Sequence, residues 1–529
     1  MPLANDVPLT PLSFLRRSAD VFGDRTGVVS GDGSTVSWAA FHAKADALAD
    51  AVRAHGTGPD ERVAILARNT TDLLAAHYGV PGGGASLIAL NTRLSPEEYL
   101  TILDDSGARL LLLDPFYADL IAPVVDRLPV DLVVALDDDV QGATTDLTDT
   151  AYRDWAAAAV PSGGMAPPSD ERAPISVNYT SGTTGRPKGA IYTHRGAYLN
   201  SLGMALQMRL TADSAYLWTL PMFHCNGWCF TWAVTAVSAT HVCLPKFDAQ
   251  QALALADEHE ITHLCGAPVV LNDMAAVGST VDLSHGVIAA TGGAPPTPRV
   301  IETLRSMGVD VVHLYGLTET YGPTAICQSQ HGWKELDADE YARKAARQGV
   351  RTVNVEQIRV VDDNLVDVPP DGETMGEIVV RSNTVTAGYL NAPDATRRAL
   401  SGGWLHTGDL AVMHPDGYLE IRDRRKDIII SGGENVSSIE VENVVAAHPA
   451  VNEVAVVAAP HPRWGEVPVA FVSLRTGEHA SEEELIEFVR QRLAHFKAPK
   501  AVRFVELPKT STGKVQKFEL RKAAADVVT

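Results

Sequence analysis

One stretch of the chain combines glycines, hydroxyl side chains and a lysine, and it reads Tyr179-Thr180-Ser181-Gly182-Thr183-Thr184-Gly185-Arg186-Pro187-Lys188-Gly189. It follows an apolar, strand-like run over residues 173–178. Glycines let the backbone approach a ligand closely, hydroxyls donate to anionic oxygens, and Lys188 adds a point charge. The stretch therefore predicts a loop that holds phosphate groups.

This loop does not have the pattern of a Walker P-loop. That pattern requires Gly-Lys followed by Ser or Thr at the start of a helix, whereas Pro187 precedes Lys188 and Gly189 follows it. A flexible surface loop is the general alternative for a glycine-rich segment. The order of hydroxyls, glycines and lysine favours phosphate binding over that alternative.

The charge of the chain limits its partners. Its 529 residues include 44 Lys+Arg and 65 Asp+Glu, for a formal net charge of -21. Such a surface repels nucleic acid and anionic lipid, so we expect no nucleic-acid partner. No uninterrupted apolar run reaches the roughly 18 residues of a transmembrane helix, so we expect no membrane span.

The cysteines predict a reducing compartment, the cytoplasm. They form no CxxC pair and lie in the central part of the chain, a layout that suits neither a disulfide framework nor a zinc site. The five cysteines are Cys225, Cys229, Cys243, Cys265 and Cys327.

Short aliphatic runs alternate with longer amphipathic segments along most of the chain. The runs at 62–67, 109–113 and 309–314 predict strands, and 38–54 predicts a helix. This alternation is typical of an α/β fold with mostly parallel sheets flanked by helices. The cluster Pro81-Gly82-Gly83-Gly84 is interpreted as a turn.

A charged segment at 422–427 marks the predicted domain boundary, with a large domain over 1–423 and a small, mobile α+β domain over 424–529. Strands are predicted in the small domain at 453–459, 467–474 and 501–507. Ser481 and Glu484 form a capping box that opens a helix.

The chain resembles the acyl-adenylate-forming superfamily, which contains acyl-CoA synthetases, luciferase-like enzymes and free-standing adenylation domains. Besides the phosphate loop, further blocks follow in the family's order at 313–320, 403–410, 423–427 with 431–435, and 508–517. The likeness covers roughly residues 10 to 525. The stretch 221–228 further resembles the branch of plant-type acyl-activating enzymes and bacterial methylthiopropionate-CoA ligases.

The resemblance implies an ATP- and Mg²⁺-dependent carboxylic acid:CoA ligase that forms an acyl-AMP, releases pyrophosphate and then makes a thioester. One alternative is an adenylating enzyme whose acyl-AMP passes to a pantetheinyl carrier protein or a separate partner. A second is a non-catalytic nucleotide- or acyl-binding regulator. A non-catalytic relative should have lost Lys514, Glu319 or Asp409, and all three residues are present. The sequence does not decide between a monomer and a homodimer.

The resemblance also assigns nucleotide and metal residues. Glu319 and, less directly, Thr180 would hold Mg²⁺, Tyr315 offers a face for adenine, and Asp409 can accept from the ribose hydroxyls. The residues expected to bind ATP or AMP are Thr180, Ser181, Gly182, Thr183, Thr184, Gly185, Lys188, Gly292, Gly293, Ala294, Tyr315, Gly316, Thr318, Asp409, Arg424 and Lys514. Taken singly, Glu319 could be a helix-start acid, Tyr315 a core aromatic and Asp409 a turn residue.

The remaining assignments concern catalysis, the hinge and the acyl group. The expected catalytic residues are Lys514, Lys188 and His224; Lys426 is the expected hinge; Gly432, Gly433 and Lys246 are expected to contact CoA; and Phe223, Cys225, Gly227 and Trp228 are expected to line the acyl pocket. Lys514 could instead be a solvated lysine, Lys426 a linker residue, and His224 a core histidine. Amino-acid-activating members carry an aspartate at the place of His224, so a substrate without an ammonium group is expected.

Replacing Lys514 should separate the two half-reactions. In Lys514→Ala we expect adenylation to fall by more than about a hundredfold, since the lysine stabilises charge in the first transition state. Thioester formation from presynthesised acyl-AMP and CoA should continue. Pyrophosphate release and thioester formation are measured separately, and an equal loss of both would contradict this division.

Overall fold

The structure is a computed structural model that describes residues 4–136, 147–180, 187–277, 281, 283–292, 298–509 and 515–524. The chain forms two compact units. The first unit comprises 1–357 with 380–405, and the second comprises 358–379 with 406–529. The domain boundary at 423/424 and the hinge near it stay predictions.

The helices alternate with strands through the first unit and continue in the second. The helices are α1 Leu12–Phe22, α2 Trp38–Ala54, α3 Thr71–Gly82, α4 Pro96–Ser106, α5 Ala118–Ile121, α6 Tyr152–Ala158, α7 His194–Gln207, α8 Cys225–Trp228, α9 Phe230–Ala236, α10 Ala249–Glu258, α11 Pro268–Val277, α12 Pro298–Ser306, α13 Ala338–Ala345, α14 Pro393–Ala399, α15 Ser438–Ala446, α16 Glu482–Arg490 and α17 Lys517–Ala524.

The strands of the first unit precede those of the second along the chain. The exceptions are the last two residues of β18 and the first residue of β19, which belong to the first unit. The strands are β1 Thr26–Val29, β2 Thr35–Ser37, β3 Arg62–Leu66, β4 Ser86–Ala89, β5 Ala108–Leu113, β6 Leu132–Ala135, β7 Thr150–Ala151, β8 Pro174–Thr180, β9 Lys188–Thr193, β10 Ala215–Leu217, β11 Thr240–Val242, β12 His263–Gly266, β13 Val287–Gly292, β14 Val309–Leu317, β15 Gly322–Ile326, β16 Val350–Arg351, β17 Gln357–Val361, β18 Gly376–Arg381, β19 Leu405–Met413, β20 Leu419–Arg424, β21 Ile429–Ser431, β22 Glu434–Val436, β23 Val451–His461, β24 Gly465–Leu474 and β25 Ala501–Phe504.

Two mostly parallel sheets organise the first unit. One has the strand order β16-β15-β14-β13-β12-β10-β11-β1-β2, and the other has the order β7-β6-β5-β3-β4-β8-β9. Strands β10 to β14 are parallel to one another, and the antiparallel pairs, such as β14 with β15 and β8 with β9, lie towards the ends of the sheets. The predicted class, α/β with mostly parallel sheets flanked by helices, is confirmed.

Helices separate the two sheets and cover their outer faces. The cluster between the sheets contains fully buried aromatic side chains of α2, α3 and α9, such as Trp38, Tyr78 and Trp232. Helices α10, α11 and α12 pack on the outer face of the first sheet, and α4 packs on that of the second. Helix α2 has the predicted bounds, because its apolar residues recur on the face that packs on α3.

The predicted turn at Pro81-Gly82-Gly83-Gly84 is wrong for its first two residues, which form the last turn of α3. A proline inside a helix deprives the carbonyl four residues earlier of its donor. That carbonyl belongs to His77, and the indole nitrogen of Trp232 donates to it over 3.2 Å. A long-range contact therefore replaces the bond that the proline removes.

The second unit contains an antiparallel-rich sheet and helices, as an α+β unit does. Its sheet has the order β22-β21-β24-β23 with β25 beside β24, and α15, α16 and α17 pack on it. The order β17-β18-β19-β20 forms a further sheet. Ser481 caps α16 in the predicted capping box, while β25 ends at Phe504, short of the predicted residue 507.

A largely buried ionic network joins the end of β20 to α15 and α17. The Lys517 ammonium lies 2.7 Å from the Glu442 carboxylate, with side-chain exposures of 17% and 18%, and it donates to the Ser438 hydroxyl over 2.6 Å. That hydroxyl donates to Asp423 over 3.0 Å. Burial raises the pKa of Asp423 and that of Glu442, although Lys517 opposes both shifts. Lys517 therefore holds two buried carboxylates together.

Replacing Lys517 should destabilise the second unit in a pH-dependent way. In Lys517→Met we expect a loss of about 2–3 kcal/mol at pH 8, because two buried carboxylates lose their cation. A carboxyl whose pKa is raised in the folded state stabilises below its unfolded pKa and loses this contribution as pH rises through the folded value. The deficit should therefore shrink as pH falls towards the ordinary values of 3.8 and 4.5.

Urea midpoints of both proteins between pH 4.5 and 8 measure this deficit. Lys522→Met is the matched control, because its partner Glu519 forms an exposed pair with side-chain exposures of 70% and 43%. The control should cost less than about 0.5 kcal/mol at every pH. A deficit that does not change with pH would contradict the assigned role of Lys517.

Candidate active site

The predicted phosphate loop connects β8 to β9. The two strands are antiparallel, and Thr180 at the end of β8 pairs with Lys188 at the start of β9. The Thr180 hydroxyl donates to the carbonyl of Lys188 over 3.5 Å. Ser181, Gly182, Thr183, Thr184 and Gly185 lie outside the described residues. The hairpin therefore places Thr180 and Lys188 at the two ends of the predicted loop.

Glu319, the predicted metal ligand, and Lys188 contact the same side chain. The Tyr389 hydroxyl donates to Oε1 of Glu319 over 2.6 Å, and the Lys188 ammonium lies over the Tyr389 ring, 5.3 Å from its centroid. Burial and the adjacent Glu319 charge raise the pKa of Tyr389, so its hydroxyl keeps the proton that it donates. Tyr389 thus joins two predicted functional residues that are far apart in sequence.

Backbone pairing holds Tyr389 in this position. The 386–390 segment lies beside β9: Ala387 and Leu390 donate to the carbonyls of Ile191 and Gly189 over 3.0 and 2.8 Å. At its other end, Thr386 donates to the carbonyl of Glu319 over 2.8 Å. Sequence reasoning missed Tyr389. The Gly388-Tyr389 dipeptide before the helix-start Pro393 is the available signal, but it indicates only a turn.

The predicted adenine residues lie at the ends of β13 and β14. Gly292 pairs with Leu314, the neighbour of the buried Tyr315. A Cβ at Gly316 would lie 1.8 Å from the carbonyl oxygen of Gly322, so no side chain fits there. Thr318 then begins the 3₁₀ turn Thr318–Thr320, which carries Glu319. Gly293 and Ala294 lie outside the described residues.

The predicted acyl-pocket stretch adopts an unusual backbone. Cys225, Asn226, Gly227, Trp228 and Cys229 have consecutive φ values of 51, 52, 61, 54 and 64°. Left-handed conformation costs non-glycine residues about 1–2 kcal/mol each, and such strain clusters at functional sites. The fully buried Asn226 side chain accepts hydrogen bonds of 2.8 Å from the Ser176 hydroxyl and the Asn178 amide of β8. The turn is therefore anchored to the strand that precedes the phosphate loop.

The start of this turn contacts the Glu319-bearing turn. Cys225 Sγ lies 3.6 Å from the Thr318 hydroxyl. Burial by itself would raise the pKa of the Cys225 thiol. The electrostatic interaction and hydrogen bond with the half-buried His224, together with hydrogen bonds to Thr318 and Tyr192, have the larger effect, so this pKa is lowered. The structure thus brings His224 and Cys225 next to the predicted nucleotide block.

The Trp228 indole occupies the space beside two glycines. Trp228 is 8% exposed. A Cβ at Gly292 would lie 3.2 Å from its ring, and a Cβ at Gly322 would lie 3.1 Å from its Cα, Cβ and Cδ1 atoms. The absence of side chains at both glycines lets the indole pack against the ends of β13 and β15. Phe223, also 8% exposed, precedes the same turn.

The predicted ribose residues meet in the second unit. Asp409 on β19 pairs in register with Arg424 on β20, and the guanidinium Nε lies 3.1 Å from the Asp409 carboxylate. Asp409 is 3% exposed, so its charge is held by this partner in a largely dry position. A carboxylate fixed in this way suits hydrogen bonds from vicinal hydroxyls.

The predicted hinge and CoA residues have distinct surroundings. Burial lowers the pKa of Lys426, which follows β20. Gly432 and Gly433 form the exposed two-residue turn between β21 and β22, with φ values of 63° and 90° that favour glycine. Lys246 is exposed in the first unit after β11. Lys514 lies outside the described residues.

The donor set fits Mg²⁺. Glu319 offers a carboxylate and Thr180 a hydroxyl, and Mg²⁺ prefers such oxygen ligands, with one or two carboxylates completed by substrate phosphates. Within the described ranges, no group of three His, Cys, Asp or Glu side chains could hold a metal ion. The described residues therefore suit a metal that arrives with a nucleotide.

The two-sheet fold agrees with the comparisons with known proteins, which identify an adenylate-forming enzyme. The chain belongs to the AMP-binding enzyme family, whose profile it matches over residues 15–390, and it matches the AMP-binding enzyme C-terminal domain over 440–514. The probable acyl-activating enzyme 6 of Arabidopsis thaliana is 44% identical, with 98% of this chain and 97% of that protein covered.

A second relative and a solved structure agree with this assignment. The acetate–CoA ligase CCL3 of Humulus lupulus is 42% identical, covering 99% of this chain and 96% of that protein. ATP-bound MatB from Rhodopseudomonas palustris is 27% identical with a TM-score of 0.86, covering 99% of this chain and 100% of that chain.

The chain is an AMP-forming acyl-CoA synthetase, an ATP-dependent carboxylic acid:CoA ligase that acts through an acyl-AMP. The predicted family, branch and enzyme class are confirmed. The relatives do not favour the carrier-dependent enzyme or the non-catalytic regulator. None of the described helices has the length and apolarity needed to cross a membrane.

Proposed function

We propose that this synthetase uses Mg²⁺ and ATP to activate short carboxylic acids that carry no charge besides the carboxylate. We propose further that the same protein carries out both half-reactions, adenylation and thioester formation with CoA. The observation that carries the substrate class is the Trp228 indole, which fills the space beside Gly292 and Gly322. The name of the hop relative, an acetate–CoA ligase, supports a small acid.

In the first half-reaction, a carboxylate oxygen attacks the α-phosphorus of ATP and the bond to the pyrophosphate oxygen breaks. Thr180, Lys188 and the hydroxyls at 181–184 would hold the β- and γ-phosphates, and Lys514 would bridge the carboxylate and the α-phosphate. Glu319 would hold Mg²⁺, which would supply further neutralisation of the leaving pyrophosphate. His224 would orient the carboxylate.

In the second half-reaction, the CoA sulfur attacks the acyl carbon, the bond from that carbon to the AMP oxygen breaks, and the thiol proton leaves to solvent. We assign the change of orientation between the half-reactions to a hinge at Lys426. The turn at Gly432 and Gly433 carries no side chains and would leave room for pantetheine, while Lys246 would contact the CoA nucleotide. The boundary at 423/424 belongs to this proposal.

The preference for uncharged acids rests on the stretch 221–241, which contains no acidic residue. A substrate ammonium would be buried there without a partner, at a cost of several kcal/mol. We also assign the enzyme to the cytoplasm, supported by the described cysteines, which are buried and form no disulfide, and keep a homodimer as a prediction.

A panel of carboxylic acids tests this function. Acetate, propanoate and butanoate should give much higher kcat/KM than octanoate, and propanoate should exceed alanine by at least about a hundredfold. Pyrophosphate release and thioester formation are measured with and without CoA. An amino acid that outperforms its deamino analogue would contradict the charge assignment, and adenylation without thioester would indicate a separate acceptor.

Shortening Trp228 should change the chain-length preference. In Trp228→Ala we expect kcat/KM for hexanoate to rise at least about tenfold relative to acetate, since each newly buried methylene contributes about 0.8 kcal/mol. Trp155→Ala, in the short helix α6, is the matched control and should keep the acetate preference. Thermal melts verify folding, and Trp228→Phe provides a smaller change. An unaltered preference in both folded Trp228 variants would refute the proposed limit on chain length.

A further inference from the structure

Tyr389 contacts, with two different parts of its side chain, the two oppositely charged groups assigned to the metal and the phosphates. Its hydroxyl donates to Glu319 over 2.6 Å, and its ring lies under the Lys188 ammonium at 5.3 Å. Hydrogen bonds to carboxylates and cation–π contacts are both weaker than binding to a metal or a phosphate. Both charges therefore have a partner that leaves them available for a stronger ligand.

The alternative arrangement would be a direct ion pair between the two residues. Unit charges of opposite sign attract strongly in a water-poor site, and a Lys188–Glu319 pair would occupy both groups. The structure describes both side chains, and each of them contacts Tyr389 without forming an ion pair with the other. The tyrosine lies against both groups instead, so each charge faces an aromatic or hydroxyl partner and not its opposite charge.

The position of Tyr389 depends on backbone contacts and not on its own hydroxyl. Its amide donates to the Thr396 hydroxyl over 2.9 Å, and its backbone bridges to Ala190 of β9. Gly388 has φ of 143°, and a Cβ there would lie 2.7 Å from Thr396. The ring should therefore stay in place when the hydroxyl is removed.

We propose that Tyr389 is a positioning residue that orients the Glu319 carboxylate for the metal and keeps Lys188 free for the nucleotide phosphates. This inference rests on the proposed roles of Glu319 and Lys188. It separates the two functions within one side chain: the hydroxyl serves the metal and the ring serves the phosphate. That separation makes the inference testable by binding alone.

The experiment measures ATP affinity of the full-length enzyme by calorimetry without acid or CoA, once with Mg²⁺ and once with EDTA. In Tyr389→Phe the Kd for ATP with Mg²⁺ should rise about tenfold, and the Kd in EDTA should stay within about twofold. In Tyr389→Leu both Kd values should rise, because Lys188 also loses the ring. Tyr99→Phe, which removes a hydroxyl that donates to the Asn91 carbonyl over 2.7 Å, should change neither.

A double substitution tests whether the hydroxyl acts through Glu319. In a Glu319→Gln background, Tyr389→Phe should change the Kd with Mg²⁺ by less than about twofold, because residues in contact are not additive. Equal losses with Mg²⁺ and EDTA in Tyr389→Phe, no loss at all, or full additivity with Glu319→Gln would overturn the inference. Failure of the acid panel alone would refute the substrate proposal and leave these binding results interpretable.

Discussion

The candidate site depends on the backbone pairing around β9. This strand pairs with β8 on one side, which sets Thr180 opposite Lys188, and with the 386–390 segment on the other. The same segment donates to the backbone of Glu319. Hydrogen bonds of the main chain do not depend on side-chain identity, so they hold in place the ends of the predicted phosphate loop, Glu319, which is proposed to bind the metal, and Tyr389.

Close approach at glycines shapes the neighbouring region, which is proposed to bind the acyl group. Gly316 tolerates no Cβ because the carbonyl of Gly322 occupies that space, and Gly292 and Gly322 leave room for the Trp228 indole. The left-handed turn over 225–229 directs that indole, and the buried Asn226 carbonyl oxygen joins the turn to β8 by two hydrogen bonds. If the proposed acyl pocket lies here, its volume is set by residues without side chains as much as by the tryptophan.

The second unit holds its charges in pairs. Asp409 is fixed by Arg424, and Lys517 links Glu442 to the Ser438 hydroxyl that donates to Asp423 at the end of β20. Although the chain carries a net charge of -21, the basic residues near the predicted hinge have specific acidic partners. Binding of a polyanionic nucleotide depends on groups within a few ångströms, and the net charge is screened beyond about 10 Å, so the overall acidity of the chain does not oppose such binding.

The sequence by itself determined the α/β class, the bounds of α2, the capping box at Ser481 and the enzyme family, while the roles of Thr180, Lys188, Glu319 and Asp409 stay predictions. These features depend on periodicity, caps and ordered motifs, which are local along the chain. The tertiary structure alone decided that Tyr389 joins Lys188 to Glu319, that Trp232 lets α3 continue through Pro81, and that residues 225–229 turn left-handed. Each of these depends on contacts between residues far apart in sequence, and a local pattern carries no information about such contacts.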